Sequence, residues 1–132
     1  MKKIGRLEKV FFPKLLEGFL TAKIDTGAFN ASLHVDSIKE LENQLEVKIG
    51  NNTYHFCNWS EIEVKSSNGE KQKRYAIKTK IIIGQKKYSI FVSLSNRKEM
   101  KYPLLIGRRF LHVNDFVVDV KKKNHHGRPK KV

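Results

Sequence analysis

Apolar positions along this chain recur mostly at every second residue. Tyr75, Ile77, Thr79, Ile81 and Ile83 alternate with Ala76, Lys78, Lys80 and Ile82, which predicts a strand with one buried face. Gly84-Gln85 then turns the chain into residues 88–94, a natural hairpin partner. Residues 45–49 and 53–56 flank Gly50-Asn51-Asn52 and predict a second hairpin. Residues 62–65 and the Tyr75 strand flank a polar loop carrying Asn68-Gly69, and residues 19–24 and 116–120 complete the predicted strands. Helix is scarce. Asp36-Ser37 predicts the cap of a short helix through Ile38 and Leu41, and residues 107–111 suggest one further turn or two. No internal repeat is visible. Strands separated by turn signals predict an all-β chain, a barrel or a sandwich, with one or two short helices.

Composition narrows the class. At 132 residues and 39% apolar content the chain is long and apolar enough for one globular core. The net charge of +14 is the unusual number. Lys121, Lys122, Lys123, Arg128, Lys130 and Lys131 fall in residues 121–132, where there is no acid and little apolar content. That stretch is expected to be a basic, disordered tail on a domain spanning residues 1–120. The domain is basic in its own right, and its field favours acidic partners: nucleic acid, the ribosome or acidic peptides. A solvated lysine-rich surface explains the same numbers. Cys57 is the single cysteine and cannot form an internal disulfide, which points to a reducing compartment. Met1-Lys2-Lys3 leads into no signal-peptide run, and no segment is apolar enough to span a bilayer. A cytoplasmic location without membrane contact is expected.

Candidate chemistry concentrates in Ala22-Lys23-Ile24-Asp25-Thr26-Gly27-Ala28, an apolar strand running into an acid and then a tight turn. An aspartate at the mouth of a buried strand is costly unless hydrogen bonds or a shared proton hold it. Gly27 allows main-chain N–H groups to approach that carboxylate. Ordinary turn chemistry accounts for Asp-Thr-Gly taken alone. A second segment adds weight: residues 103–111 read as a short apolar strand, then Gly107, Arg108 and apolar residues at helical spacing.

Together the two segments resemble the retropepsin-like aspartic proteases, and more closely the bacterial retropepsin-like family often labelled "ATP-dependent zinc protease". The pattern reads Ile4-Gly5-Arg6, Lys23 to Ala28, Ala31-Ser32-Leu33-His34 and Lys65-Ser66-Ser67-Asn68-Gly69, then Arg97, Met100, Pro103, Leu105 to Arg108 and Val118-Asp119. The resemblance implies a closed barrel of the acid-protease fold and an aspartic peptidase. One Asp-Thr-Gly supplies one acid, whereas hydrolysis by carboxylates needs a pair sharing a proton. A homodimer bringing Asp25 of each subunit to the two-fold axis is therefore expected. The resemblance further implies that Thr26 bonds across that axis and that Gly27 and Ala28 shape the loop. Ala28 lacks the hydroxyl that would lower the carboxylate's pKa, so the working pH is expected nearer neutral. Gly107 and Arg108 would back the loop, with Arg108 buried or semi-buried in an ion pair. Ser67, Asn68 and Gly69 would form the tip of a flap covering residues 65–74. Lys71, Lys73 and Arg74 make that flap basic, which suits acidic peptides. Some relatives of this family occur beside ATP-dependent ligases that add glutamate tails to ribosomal protein, and such tails match the charge.

Other chemistries have less support. His34, His55, His112, His125 and His126 include no His-Glu-x-x-His pair, so no metal or other cofactor is expected. His55 and Cys57 supply two ligands and no third. No Gly-x-x-x-x-Gly-Lys-Ser/Thr loop is present. Cys57 has no adjacent base and is expected to be buried and inert. His34 is expected near the core, and Asp119 is expected to pair with Arg108 or Arg109. Two alternatives stand beside the peptidase. One is a retropepsin-like module that binds RNA, the ribosome or an acidic protein without cutting. The other is a monomeric hydrolase pairing Asp25 with Asp115 or Asp119.

Overall fold

The computed structural model describes residues 2–65, 68–96 and 101–130. In chain order the described elements are β1 (Lys2–Phe11), β2 (Phe19–Ile24), β3 (Ala31–His34), β4 (Ser37–Leu41), β5 (Gln44–Ile49) and β6 (Asn52–Phe56). They continue as β7 (Ser60–Lys65), β8 (Lys71–Ile83), β9 (Lys86–Ser95), β10 (Leu104–Ile106), the helix α1 (Arg108–Val113) and β11 (Phe116–Lys123). The chain is mostly β, as its period-two pattern predicts.

The main sheet runs β11-β1-β2-β10-β3-β9-β8-β7, and β8 also meets β1 through Val10↔Ile83 and Phe11↔Ile82. That contact turns the sheet back on itself as a ring of six strands, with β11 and β7 attached outside it. The expected barrel of short strands is thus modified. β8 spans thirteen residues and β1 and β9 ten each, and two of the six pairs around the ring, β2–β10 and β3–β9, are parallel while the other four are antiparallel. A separate three-stranded sheet, β4-β5-β6, stands beside it.

The core fills the ring. Ile77, Ile81 and Ile83 of β8 face inward with Ile90 and Val92 of β9, meeting Ile4, Val10, Ala22, Leu33, Leu104 and Ile106. Each of the valine, leucine and isoleucine side chains contributes about 1.5–3 kcal/mol on burial. Tyr88 closes one end against Phe110 and Phe116, with ring centroids 5.6 Å away in both cases. Burial lifts its phenol above the usual pKa, against a smaller opposing effect of Lys86.

Two segments differ from expectation. Residues 37–41 form a strand, not a helix. Asp36 does act as an acceptor, but its Oδ2 takes the N–H of Gly50 at 2.6 Å, across the β5–β6 turn. Residues 121–130, expected to be disordered, are ordered against the sheet. β11 continues to Lys123 beside Leu7, Asn124 donates its N–H to the Leu7 carbonyl at 2.8 Å, and Lys130 donates to Gly84 at 2.8 Å. Glu8, wholly buried, accepts the N–H of Gly5 at 2.7 Å and that of His126 at 3.2 Å. The cationic run is therefore fastened by main-chain bonds and by one buried acid. No described helix is long and apolar enough to cross a membrane.

Candidate functional site around Asp25

β2 and β10 run parallel and end together, with Ile24 opposite Ile106. Asp25 leaves β2 there, and its N–H donates to the Ile106 carbonyl at 2.9 Å. The chain then turns: the Ala28 N–H bonds the Asp25 carbonyl at 3.2 Å, and the Gly27 N–H donates to Asp25 Oδ1 at 3.0 Å. One carboxylate oxygen is thereby held, and the side chain is half-buried at the mouth of a hollow.

Helix α1 backs this loop. Its first N–H groups, those of Arg108 and Arg109, donate to the carbonyls of Ala28 at 2.8 Å and Phe29 at 3.1 Å. The helix start, which has no side-chain cap, is satisfied by the loop it supports. Gly107 packs so closely that a Cβ there would lie 2.6 Å from the carbonyl oxygens of Phe29 and Asn30. Arg108 is exposed, not buried in an ion pair. Its guanidinium donates to the Gly27 carbonyl at 3.1 Å and the Thr26 carbonyl at 3.4 Å, and it lies over Phe29. The Thr26 side chain is exposed.

The hollow in front of Asp25 measures about 500 Å³ and is lined by Ala28, Phe29, Asn30, Ser32, Ser93 and Leu105 on one side and by Glu63, Val64, Lys65 and Arg74 of the β7–β8 hairpin on the other. The predicted flap is thus largely paired strand: Ile62 stands opposite Arg74, and Lys65 opposite Lys71. Asn68 and Gly69 lie at its turn, Asn68 Oδ1 accepting the Glu70 N–H at 3.1 Å with Gly69 at φ +86°. Ser67 lies outside the described residues. On the hairpin's exposed side Lys73 meets Glu61 at 3.0 Å, and that hydrogen bond holds its ammonium above the usual pKa.

Sequence reasoning missed Asn30, Ser32 and Ser93 as lining residues, whereas Arg74 lines the hollow as part of the expected basic flap. Asn30 Oδ1 is shut off from water and, among the described residues, has no hydrogen-bond partner. Ser93 donates to the Ala31 carbonyl at 3.2 Å. Among the described residues Asp119 forms no ion pair with Arg108 or Arg109 and accepts the Lys121 N–H at 3.0 Å. His34 meets Asp36 at 3.1 Å. Cys57, expected buried, is exposed. Among the described residues no three His, Cys, Asp or Glu side chains gather into a metal-binding group. A smaller hollow of about 190 Å³, bordered by Lys78, Phe91, Arg109 and Val113, does not include Asp25.

A mostly β chain whose Asp-Thr-Gly loop leaves a strand and rests on a Gly-Arg helix start has the features of the retropepsin-like class. Residues 3–129 match the family described as "RimB-like: Retropepsin-like aspartic endopeptidase RimB", and the chain belongs to that family. A solved structure from Legionella pneumophila, described as a protein of unknown function, aligns with a TM-score of 0.75 and 32% identity, covering 95% of this chain and 98% of that one. Curated relatives carry another name. Proteins from Shewanella pealeana and Shewanella halifaxensis, each called "Probable alpha-L-glutamate ligase", are each 30% identical over 88% of this chain. One of the same name from Desulfotalea psychrophila is 29% identical over 81% of it. The chain spans only 26–28% of the length of these three relatives. The family description and the relatives' names are both those of enzymes.

These relatives correct the expected function. The chain was expected to be an aspartic peptidase working through an Asp25 pair across a dimer axis, or failing that a non-catalytic binding module. The curated relatives at 25–30% identity are instead named as glutamate ligases. The physical reason lies in what the motif encodes. Asp-Thr-Gly and Gly-Arg specify how a loop and a helix start lock together, and that geometry presents a carboxylate without dictating the reaction.

Proposed function

We propose that this chain serves α-L-glutamate ligation as the domain that binds the L-glutamyl substrate in the hollow before Asp25. An L-glutamyl unit with a free amino group carries an ammonium and, a few bonds away, a side-chain carboxylate. The hollow offers both complements: Asp25 and Glu63 for the cation, Lys65 and Arg74 for the anion. This pairing of opposite charges across one hollow is the observation that carries the reading. The excess of +14 adds a long-range attraction for acidic chains. The ligase name of the relatives supplies the substrate class.

Calorimetric titration with three peptides tests it: an α-linked oligoglutamate with a free amino end, the same peptide N-acetylated, and an oligoglutamine. The free-amino oligoglutamate should bind tightest. Asp25→Asn should weaken that peptide by about tenfold or more, the loss expected for one charged hydrogen bond. Addition of the chain to a glutamate-ligase reaction should shift the lengths of the glutamate products seen by mass spectrometry. Equal binding of all three peptides, with unchanged product lengths, would overturn the proposal.

A further inference from the structure

We infer that Arg74 distinguishes L-glutamyl from L-glutaminyl substrates, its guanidinium taking the side-chain carboxylate while Asn30 Oδ1 accepts an N–H of the same ligand. This rests on the L-glutamyl reading above and adds to it the residues that decide specificity.

Arg74 sits in β8 opposite Ile62. It is half-buried and lines the hollow across from the Asp25 loop. Among the described residues its guanidinium bonds only the neutral Gln72 Oε1, at 3.2 Å. The neighbouring cation, Lys73, is already engaged with Glu61 at 3.0 Å. Among the described residues, Arg74 thus faces the hollow with one of five donors in use and its charge unmatched by a carboxylate. A guanidinium is a planar fork that meets both oxygens of a carboxylate at once, and a side-chain amide offers only one oxygen. Lys65 also borders the hollow, but its ammonium is a flexible point charge on an exposed side chain and discriminates less.

Asn30 supplies the second half of the argument. A buried acceptor without a donor carries a standing cost, and Asn30, a residue that lines this hollow, holds such an acceptor in its Oδ1, unpartnered among the described residues. A ligand N–H placed there removes that cost. The carboxylate and amino functions of one glutamyl unit would then be read from opposite walls.

The test compares oligoglutamate with oligoglutamine on the full chain. Wild type should favour oligoglutamate by about tenfold or more. Arg74→Gln should lower that ratio several-fold by weakening oligoglutamate alone, and Arg74→Lys should restore part of it. Arg74→Met, which keeps the apolar stem, is a second variant should Arg74→Gln fold poorly, and circular dichroism checks both. Asn30→Ala should weaken both peptides alike, since it removes an acceptor for N–H and not a partner for carboxylate. If wild type binds oligoglutamate preferentially and the folded Arg74 variants keep that preference, this inference falls while the broader reading stands. If wild type shows no preference, both fall.

Discussion

Gly107 leaves no space for a side chain. Three carbonyls crowd it, those of Phe29 and Asn30 at 2.6 Å and that of Ala28 at 2.8 Å from where a Cβ would stand. Those carbonyls belong to the segment that holds Asp25, and two of them accept the first N–H groups of α1. A methyl at Gly107 therefore pushes on the loop from behind. Gly107→Ala should cost about 1–3 kcal/mol, measured as a lower urea midpoint with an unchanged slope. The same variant should weaken oligoglutamate binding, because the Asp25 carboxylate is oriented by that loop. Gly27 is less confined, its only near neighbour being Asp25 Oδ1 at 3.3 Å.

At the scale of elements, β11 and the segment after it depend on Glu8. Its carboxylate takes the N–H of Gly5 from within β1 and that of His126 from beyond β11. Glu8→Gln turns one acceptor into a donor facing an N–H, and should cost about 1.5–3 kcal/mol. Hydrogen exchange should then show the amides of Asn124 and His126 losing protection while the β8–β9 hairpin keeps it. Glu8 also explains why β1 escaped the hydrophobic pattern. A buried acid occupies a position where alternation expects an apolar residue, and the register slips between Gly5 and Leu7. By contrast residues 75–83 were legible because their inner face is uninterrupted. Asp36 was misread because an aspartate acceptor looks the same whether it serves a helix start or a turn fourteen residues away. The Asp25 and Gly107 loops could be read locally because tight turns demand particular residues. Arg74 was legible as a flap cation, but Asn30 and Ser93 were not, since only the pairing of distant strands brings them to one hollow.

For the whole molecule, closure of the ring rests on a narrow seam. β8 pairs with β9 over nine residues, from Tyr75↔Leu94 to Ile83↔Lys86, but with β1 over two. Opening that seam sacrifices few hydrogen bonds and leaves the hairpin whole, so local opening should begin there. Native-state hydrogen exchange should find the ladder amides of the β1–β8 contact exchanging through a lower-energy opening than those of β8 with β9. Equal protection across both would show that the ring opens only with global unfolding.

β1 is synthesised before β11, yet half of one of its edges is covered by that later strand. Until residues 116–123 emerge, a growing chain carries a bare row of N–H and C=O groups that invites pairing with a neighbour. Lys2 and Lys3 lie in the stretch of β1 that β11 later covers, and their charge repels identical copies while that stretch is bare. Those two lysines at the start of β1 therefore guard the nascent protein against its own kind before the fold is complete.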